Sequence, residues 1–127
     1  MKQIISTPKA PSAIGPYNQA TSFEKLIFTS GQIALDPETM EIVEGDVQAQ
    51  TKQVMENLKA VLEEGNSSYD NVLKTNCYLS DMDNFVAFNE IYGSYFNAED
   101  APARATVAVK TLPKNVLVEV DAIAFKN

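Results

Sequence analysis

Histidine is missing from the 127 residues, cysteine occurs once, and a single arginine stands beside nine lysines. Without histidine there is no Ser-His-Asp or Cys-His device and no histidine-based metal site. The lone Cys77 can build neither a thiolate zinc centre nor an internal disulfide, and it suits a reducing cytosol. Neither a Walker loop nor a Gly-x-Gly-x-x-Gly run occurs, so both familiar phosphate cradles are absent. Any catalysis must therefore come from Arg, Glu, Tyr, hydroxyls and backbone groups. A long apolar run is lacking too. The first eight residues, Met1 to Pro8, read as neither signal peptide nor membrane anchor, so the expected location is cytoplasmic.

Positive charge is scarce. The net charge of −7 argues against nucleic acid or an anionic membrane as partner, since both require a basic footprint. An anionic ligand would have to be drawn by a local cation within a repulsive field. What is present is ordinary for a soluble globular protein, with 45% hydrophobic and 21% charged residues. No linker, repeat or low-complexity tract divides the chain, which reads as one domain over residues 1–127. That length buries roughly two-thirds of the unfolded surface, enough for a core without staples.

Gly15-Pro16 makes a turn, and Tyr17 to Thr21 reads as a short strand. Leu26 to Thr29 is a stronger one. Asp46 is placed to cap a helix carrying Val47, Val54, Leu58, Val61 and Leu62, with Gly65 as a left-handed stop. Leu73, Thr75, Cys77 and Leu79 alternate at strand period. Asp83 opens a second helix with Phe85, Phe88, Tyr92, Tyr95 and Phe96 on one face. Closing strands follow at about Arg104–Lys110 and Val116–Phe125. The order predicts an α+β fold, one sheet with two helices on a single face. The last strand is apolar on both sides, with Val116, Val118, Val120 and Ala122 on one and Leu117, Ile123 and Phe125 on the other. A sheet so built, with helices for only one face, implies a subunit partner.

Arg104 opens an otherwise apolar strand, and Glu119 lies among apolar residues of the last one. Each has a plain reading: a surface cation at a strand start, and a carboxylate at a rim. Together they would suit a small ligand bearing a carboxylate and a second reactive group. A simple hairpin between the closing strands would leave them about five residues, or some 16 Å, apart. A shared site therefore needs either another strand order or a neighbouring subunit.

Several motifs, in order along essentially the whole chain, resemble the RidA/YjgF family of reactive intermediate deaminases. They are Ala13-Ile14-Gly15-Pro16-Tyr17, Thr29-Ser30-Gly31-Gln32-Ile33, Asn84-Phe85 with Asn89, Tyr92 and Phe96, Pro102-Ala103-Arg104, Leu112-Pro113-Lys114 and Val118-Glu119-Val120. The resemblance implies a chorismate-mutase-like fold with a mixed sheet, assembled as a homotrimer with clefts between subunits. The implied activity is hydrolysis of 2-enamine/2-imine acids, such as 2-aminoacrylate and 2-iminobutanoate, to 2-keto acids and ammonia. Such acids leave PLP-dependent dehydratases, which are thus the implied functional link. No metal or organic cofactor is implied. By position, Arg104 would clamp the substrate carboxylate and Glu119 would position or activate water. Tyr17, Ser30 and Gly31 would wall the cleft, with Asn89 close by and backbone groups at Gly31 and Thr106 bonding the ligand. Many relatives carry cysteine where this chain has Thr106, so thiol chemistry assigned there does not transfer. The alternatives within the same fold are a trimeric 2-keto-acid binding or sensing protein and a chaperone-like regulator.

Overall fold

A carboxylate takes an orphan N–H at the start of the first helix and at the start of the 3-10 turn that leads into the second. In the computed structural model of the chain, which describes residues 1–127, Asp46 accepts from Ala49 N at 3.1 Å and caps α1, Val47–Glu64. The second cap is Asp81 rather than Asp83. Its Oδ1 accepts from Asp83 N at 2.8 Å, a short 3-10 turn follows over Met82–Asn84, and α2 runs Phe85–Gly93. Gly65 closes α1 but not in the left-handed region, since its φ is −81°. Asn66 takes that conformation instead, at φ 62°. Gly65 is small for another reason: a Cβ there would come within 2.9 Å of both Ile5 and Ile27, where the end of α1 meets the sheet.

Six strands form one mixed sheet: β1 Gln3–Ile5, β2 Ala20–Phe23, β3 Leu26–Thr29, β4 Val72–Leu79, β5 Ala103–Ala108 and β6 Val118–Phe125. Their spatial order is β1-β2-β3-β6-β4-β5, and β4·β5 is the one parallel pair. A parallel pair needs a crossover, and α2 provides it between β4 and β5. The closing strands therefore form no hairpin. β4 lies between them, paired antiparallel to β6 from Val72↔Ala124 to Leu79↔Val118. The strand read at Tyr17–Thr21 begins later, at Ala20. Tyr17 N instead bonds Gly15 O at 2.8 Å, and the buried Gln19 side chain turns inward. Its Nε2 donates to Thr7 O, Ala10 O and Pro11 O, while its Oε1 accepts from Thr7 N, which ties the N-terminal segment down.

One face of the sheet is sealed by the helices. Ile27, Val118, Val120, Ala122 and Ala124 pack there against Val54, Met55, Leu58, Val61 and Leu62 of α1, all essentially inaccessible. The alternation along β6 is as the sequence reads, with Val118, Val120, Ala122 and Ala124 inward and Glu119, Asp121, Ile123 and Phe125 outward. Register places Ile4, Thr21, Phe28 and Ile123 in one row across the other face, and Phe23, Leu26 and Phe125 in the next. Ile4, Phe23, Leu26, Phe28 and Phe125 keep between 39% and 53% of their surface in solvent, an apolar sheet face without a helix.

Candidate active site

Arg104 and Glu119 point to opposite faces of the sheet. Arg104 is in register with Thr75, a buried residue of the helix-covered face, while Glu119 shares a row with Tyr78 and Val107 on the open face. Three residues along and two strands across put their Cα atoms roughly 14 Å apart, before the side chains diverge. The strand order is not a hairpin, yet it does not unite them. Of the two routes to a shared site that the sequence left open, a different strand order is present but does not bring the pair together within one chain, where each lines its own cleft.

The first cleft, about 450 Å³, is lined by Tyr17, Ser30, Gly31 and Glu119 along with Ile33 and Lys114. Its floor is a break in sheet pairing. β3 pairs with β6 as far as Phe28↔Ile123 and resumes at Gln32↔Val120, so three residues on one strand oppose two on the other. That bulge frees Ser30 and Gly31 from the ladder. Ser30 N turns to Gln19 O at 2.9 Å and its hydroxyl donates to Asn18 O, whereas the Gly31 N–H is in no hydrogen bond. The Glu119 carboxylate lies directly over Gly31, and a Cβ at that position would collide with it. Burial, and secondarily the charge of Asp121, raises the proton affinity of Glu119 above that of an ordinary carboxylate. Asp121 is itself bonded by Asn76 Nδ2 at 2.8 Å. A carboxylate so tuned, beside a free backbone N–H, is equipped to hold a water and accept its proton.

The second cleft, about 380 Å³, is lined by Asn89, Tyr92, Phe96, Pro102 and Arg104. Arg104 Nη1 donates to Asn89 Oδ1 at 2.7 Å. Its guanidinium carbon lies 4.8 Å from the Tyr92 ring centroid and 5.5 Å from that of Phe85. None of these partners is a carboxylate, so the fork remains available to an anion from outside. Thr106 stands two residues on, in register with Cys77. Its hydroxyl is buried without a hydrogen-bond partner. Burial pushes the Cys77 thiol up to about 11, which keeps it protonated and inert.

Sequence reasoning thus names Arg104, Asn89 and Glu119 as site residues, but not the rings of Phe85 and Tyr92 under the guanidinium nor Lys114 in the first cleft. Phe85, Asn89 and Tyr92 stand at i, i+4 and i+7, one stripe of α2, and this spacing is the signal that links the two rings to Asn89. Lys114 lies in a backbone conformation, φ 56°, that sequence does not announce for lysine.

The family model described as Endoribonuclease L-PSP matches residues 7–126. A RutC family protein of Pyrococcus abyssi is 52% identical over 98% of both chains. The mouse 2-iminobutanoate/2-iminopropanoate deaminase is 44% identical, covering 99% of this chain and 93% of its own. Among solved structures, RidA from an Antarctic Psychrobacter superposes with a TM-score of 0.92 at 43% identity, over 97% of this chain and 98% of that one. Escherichia coli TdcF with bound serine gives 0.91 at 39%, over 98% and 99%. With a family model spanning nearly the whole chain and relatives this close at full length, the protein belongs to the RidA/YjgF family.

Proposed function

We propose that this protein is a hydrolytic deaminase of 2-enamine/2-imine acids, working as a homotrimer whose sites join the Arg104 cleft of one subunit to the Glu119 cleft of the next. The observation that carries this reading is the state of Arg104: a guanidinium held by an amide and two rings, with no acidic partner, at the mouth of a cleft. The names of the mouse and human relatives, at 44% and 40% identity, support the reaction class. TdcF with bound serine supports a ligand of small amino-acid type.

In the proposed reaction Arg104 clamps the substrate carboxylate through paired N–H donors, which fixes the imine carbon relative to the neighbour's Glu119. Glu119 takes a proton from water as its oxygen bonds to the imine carbon. With the imine nitrogen protonated, this addition gives a neutral carbinolamine. Glu119 passes its proton to that nitrogen and takes the hydroxyl proton as the C–N bond breaks, so ammonia leaves, the 2-keto acid forms, and the proton on Glu119 goes to solvent. Tyr17 and Ser30 wall the cleft, and the Gly31 N–H and the Thr106 backbone are donors to the ligand. The imine is already electrophilic, so no activated nucleophile is required. The substrate would come from PLP-dependent dehydratases acting on serine or threonine. An RNA substrate fits poorly with a net charge of −7 and no histidine.

The test couples the protein to a threonine dehydratase and follows imine lifetime and keto-acid release. Faster release that is lost in Arg104→Lys is the expected result. Unchanged imine lifetime alongside 2-keto-acid binding would instead make the protein a binding or sensing module.

A further inference from the structure

Arg104 is exposed, yet it is held by a chain of contacts that runs back into the core. The Tyr92 ring beneath it is 5% exposed, and the Tyr92 hydroxyl meets Thr75 Oγ1 at 2.7 Å in a fully buried hydrogen bond. Thr75 is the β4 residue paired in register with Arg104 itself. The connection is closed: from the β5 backbone across to Thr75, through the phenol to the ring, and from the ring to the guanidinium. Phe88 and Phe96 pack on the same ring at centroid distances of 5.4 and 4.9 Å, which denies Tyr92 other orientations. Phe85 and Asn89, from the same stripe of α2, complete the seat.

A solvent-exposed arginine has several rotatable bonds and normally samples many orientations. Bidentate recognition of a carboxylate needs one. We propose that Tyr92, pinned by Thr75, acts with Phe85 as a positioning pair: together they set the plane of the Arg104 guanidinium, so that the cleft selects planar carboxylates over neutral isosteres. In this scheme both act on the ligand through the guanidinium, although Tyr92 also lines the cleft. Tyr92 acts through its ring face, and the hydroxyl of Thr75 acts through Tyr92. Asn89 takes up one of the five guanidinium N–H groups and leaves four for the ligand and solvent. The proposal rests on the functional reading above only for its ligand-selectivity arm.

The chain's single arginine makes the test direct. In protein labelled with ¹⁵N-arginine, one guanidinium spin system reports Arg104 alone. The wild type is expected to show slowed rotation about the Nε–Cζ bond, with its Nη signals resolved, and Tyr92→Leu is expected to merge them. Pyruvate and pyruvamide are then titrated against both proteins. The preference for the carboxylate should fall on the order of tenfold in Tyr92→Leu. Thr75→Val/Tyr92→Phe keeps the ring and removes both buried polar partners together, a change that is nearly neutral for stability. It should lie between wild type and Tyr92→Leu in both measurements while melting at the wild-type temperature. Should Tyr92→Leu not fold, Phe85→Leu replaces it with the same expectations. A freely averaging guanidinium in the wild type, or an unchanged pyruvate preference in the folded variants, overturns the proposal. If the wild type binds neither compound but shows the restrained guanidinium, the carboxylate reading of the cleft has failed while the positioning of Arg104 stands.

Discussion

Arginine and lysine are not equivalent at position 104 if the cleft grips a planar anion, as proposed. A lysine would keep the charge but lose both the second donor and the stacking on Tyr92 and Phe85. Charge-assisted hydrogen bonds are worth about 1.5–3 kcal/mol, so Arg104→Lys should lower kcat/KM roughly 10- to 150-fold in the coupled dehydratase assay. Its melting temperature should fall only slightly, by the lost stacking and Asn89 contact, because the side chain is otherwise exposed. Unaltered turnover would sink the bidentate clamp. Glu119 carries a different signature. Its carboxyl binds a proton more tightly in the folded chain than at the unfolded value of 4.5, so folding loses stability as pH rises from 4.5 through the raised native value. Glu119→Gln should therefore be more stable than the parent at about pH 7, with the two converging below about pH 4 in denaturant titrations. The same variant should lose turnover, and the wild-type acid limb should fall above 4.5, where Glu119 gains its proton.

At the scale of elements, the bulge between β3 and β6 couples Gly31 to Glu119. Gly31→Ala should cost about 1–3 kcal/mol from overpacking, with activity lost as the carboxylate is displaced. Glu119→Ala should relieve most of that cost, which a double-mutant cycle on folding free energy would reveal as strong non-additivity. Additive effects would mean that Gly31 meets something other than Glu119. Lys114 and Asn115 both adopt φ 56° in the loop before β6. Asparagine tolerates that region and lysine does not, so Lys114→Gly should raise stability by several tenths to about 1 kcal/mol. A loss of that size would show that the lysine side chain makes compensating contacts. These elements also mark how far the sequence reads. α1 was legible almost to the residue, because Asp46 and the 3.6-residue apolar spacing are local signals. The β6 alternation was legible for the same reason. The insertion of β4 between β5 and β6 was not, since strand pairing is decided by non-local packing that no short window contains. Gly65 and Gly31 were visible as glycines, but what each makes room for, Ile5 and Ile27 or Glu119, exists only after folding.

For the whole molecule, the two-sided apolar pattern of β6 and the opposed clefts bear on one question. A single chain leaves Ile4, Phe23, Leu26, Phe28 and Phe125 in water on the open face. It also keeps the Arg104 and Glu119 clefts on opposite sides of its own sheet. Covering that face with other copies can solve both problems at once, if one subunit's α2 side meets the next subunit's bulge. This makes a prediction that mass alone does not. Arg104→Lys should keep no more than about a tenth of wild-type activity as a pure protein, and Glu119→Gln should lose turnover. Unfolded and refolded together in equal amounts, they should regain about a quarter of wild-type activity, because random mixing in a cyclic trimer pairs an intact Arg104 with an intact neighbouring Glu119 at one site in four. If each site lay within one chain, every subunit in the mixture would carry one defect and no activity would return, even with a light-scattering mass of three chains. Recovery in the mixture would place the cation and the carboxylate on different subunits, which the sheet geometry of one chain already requires if they are to share a ligand.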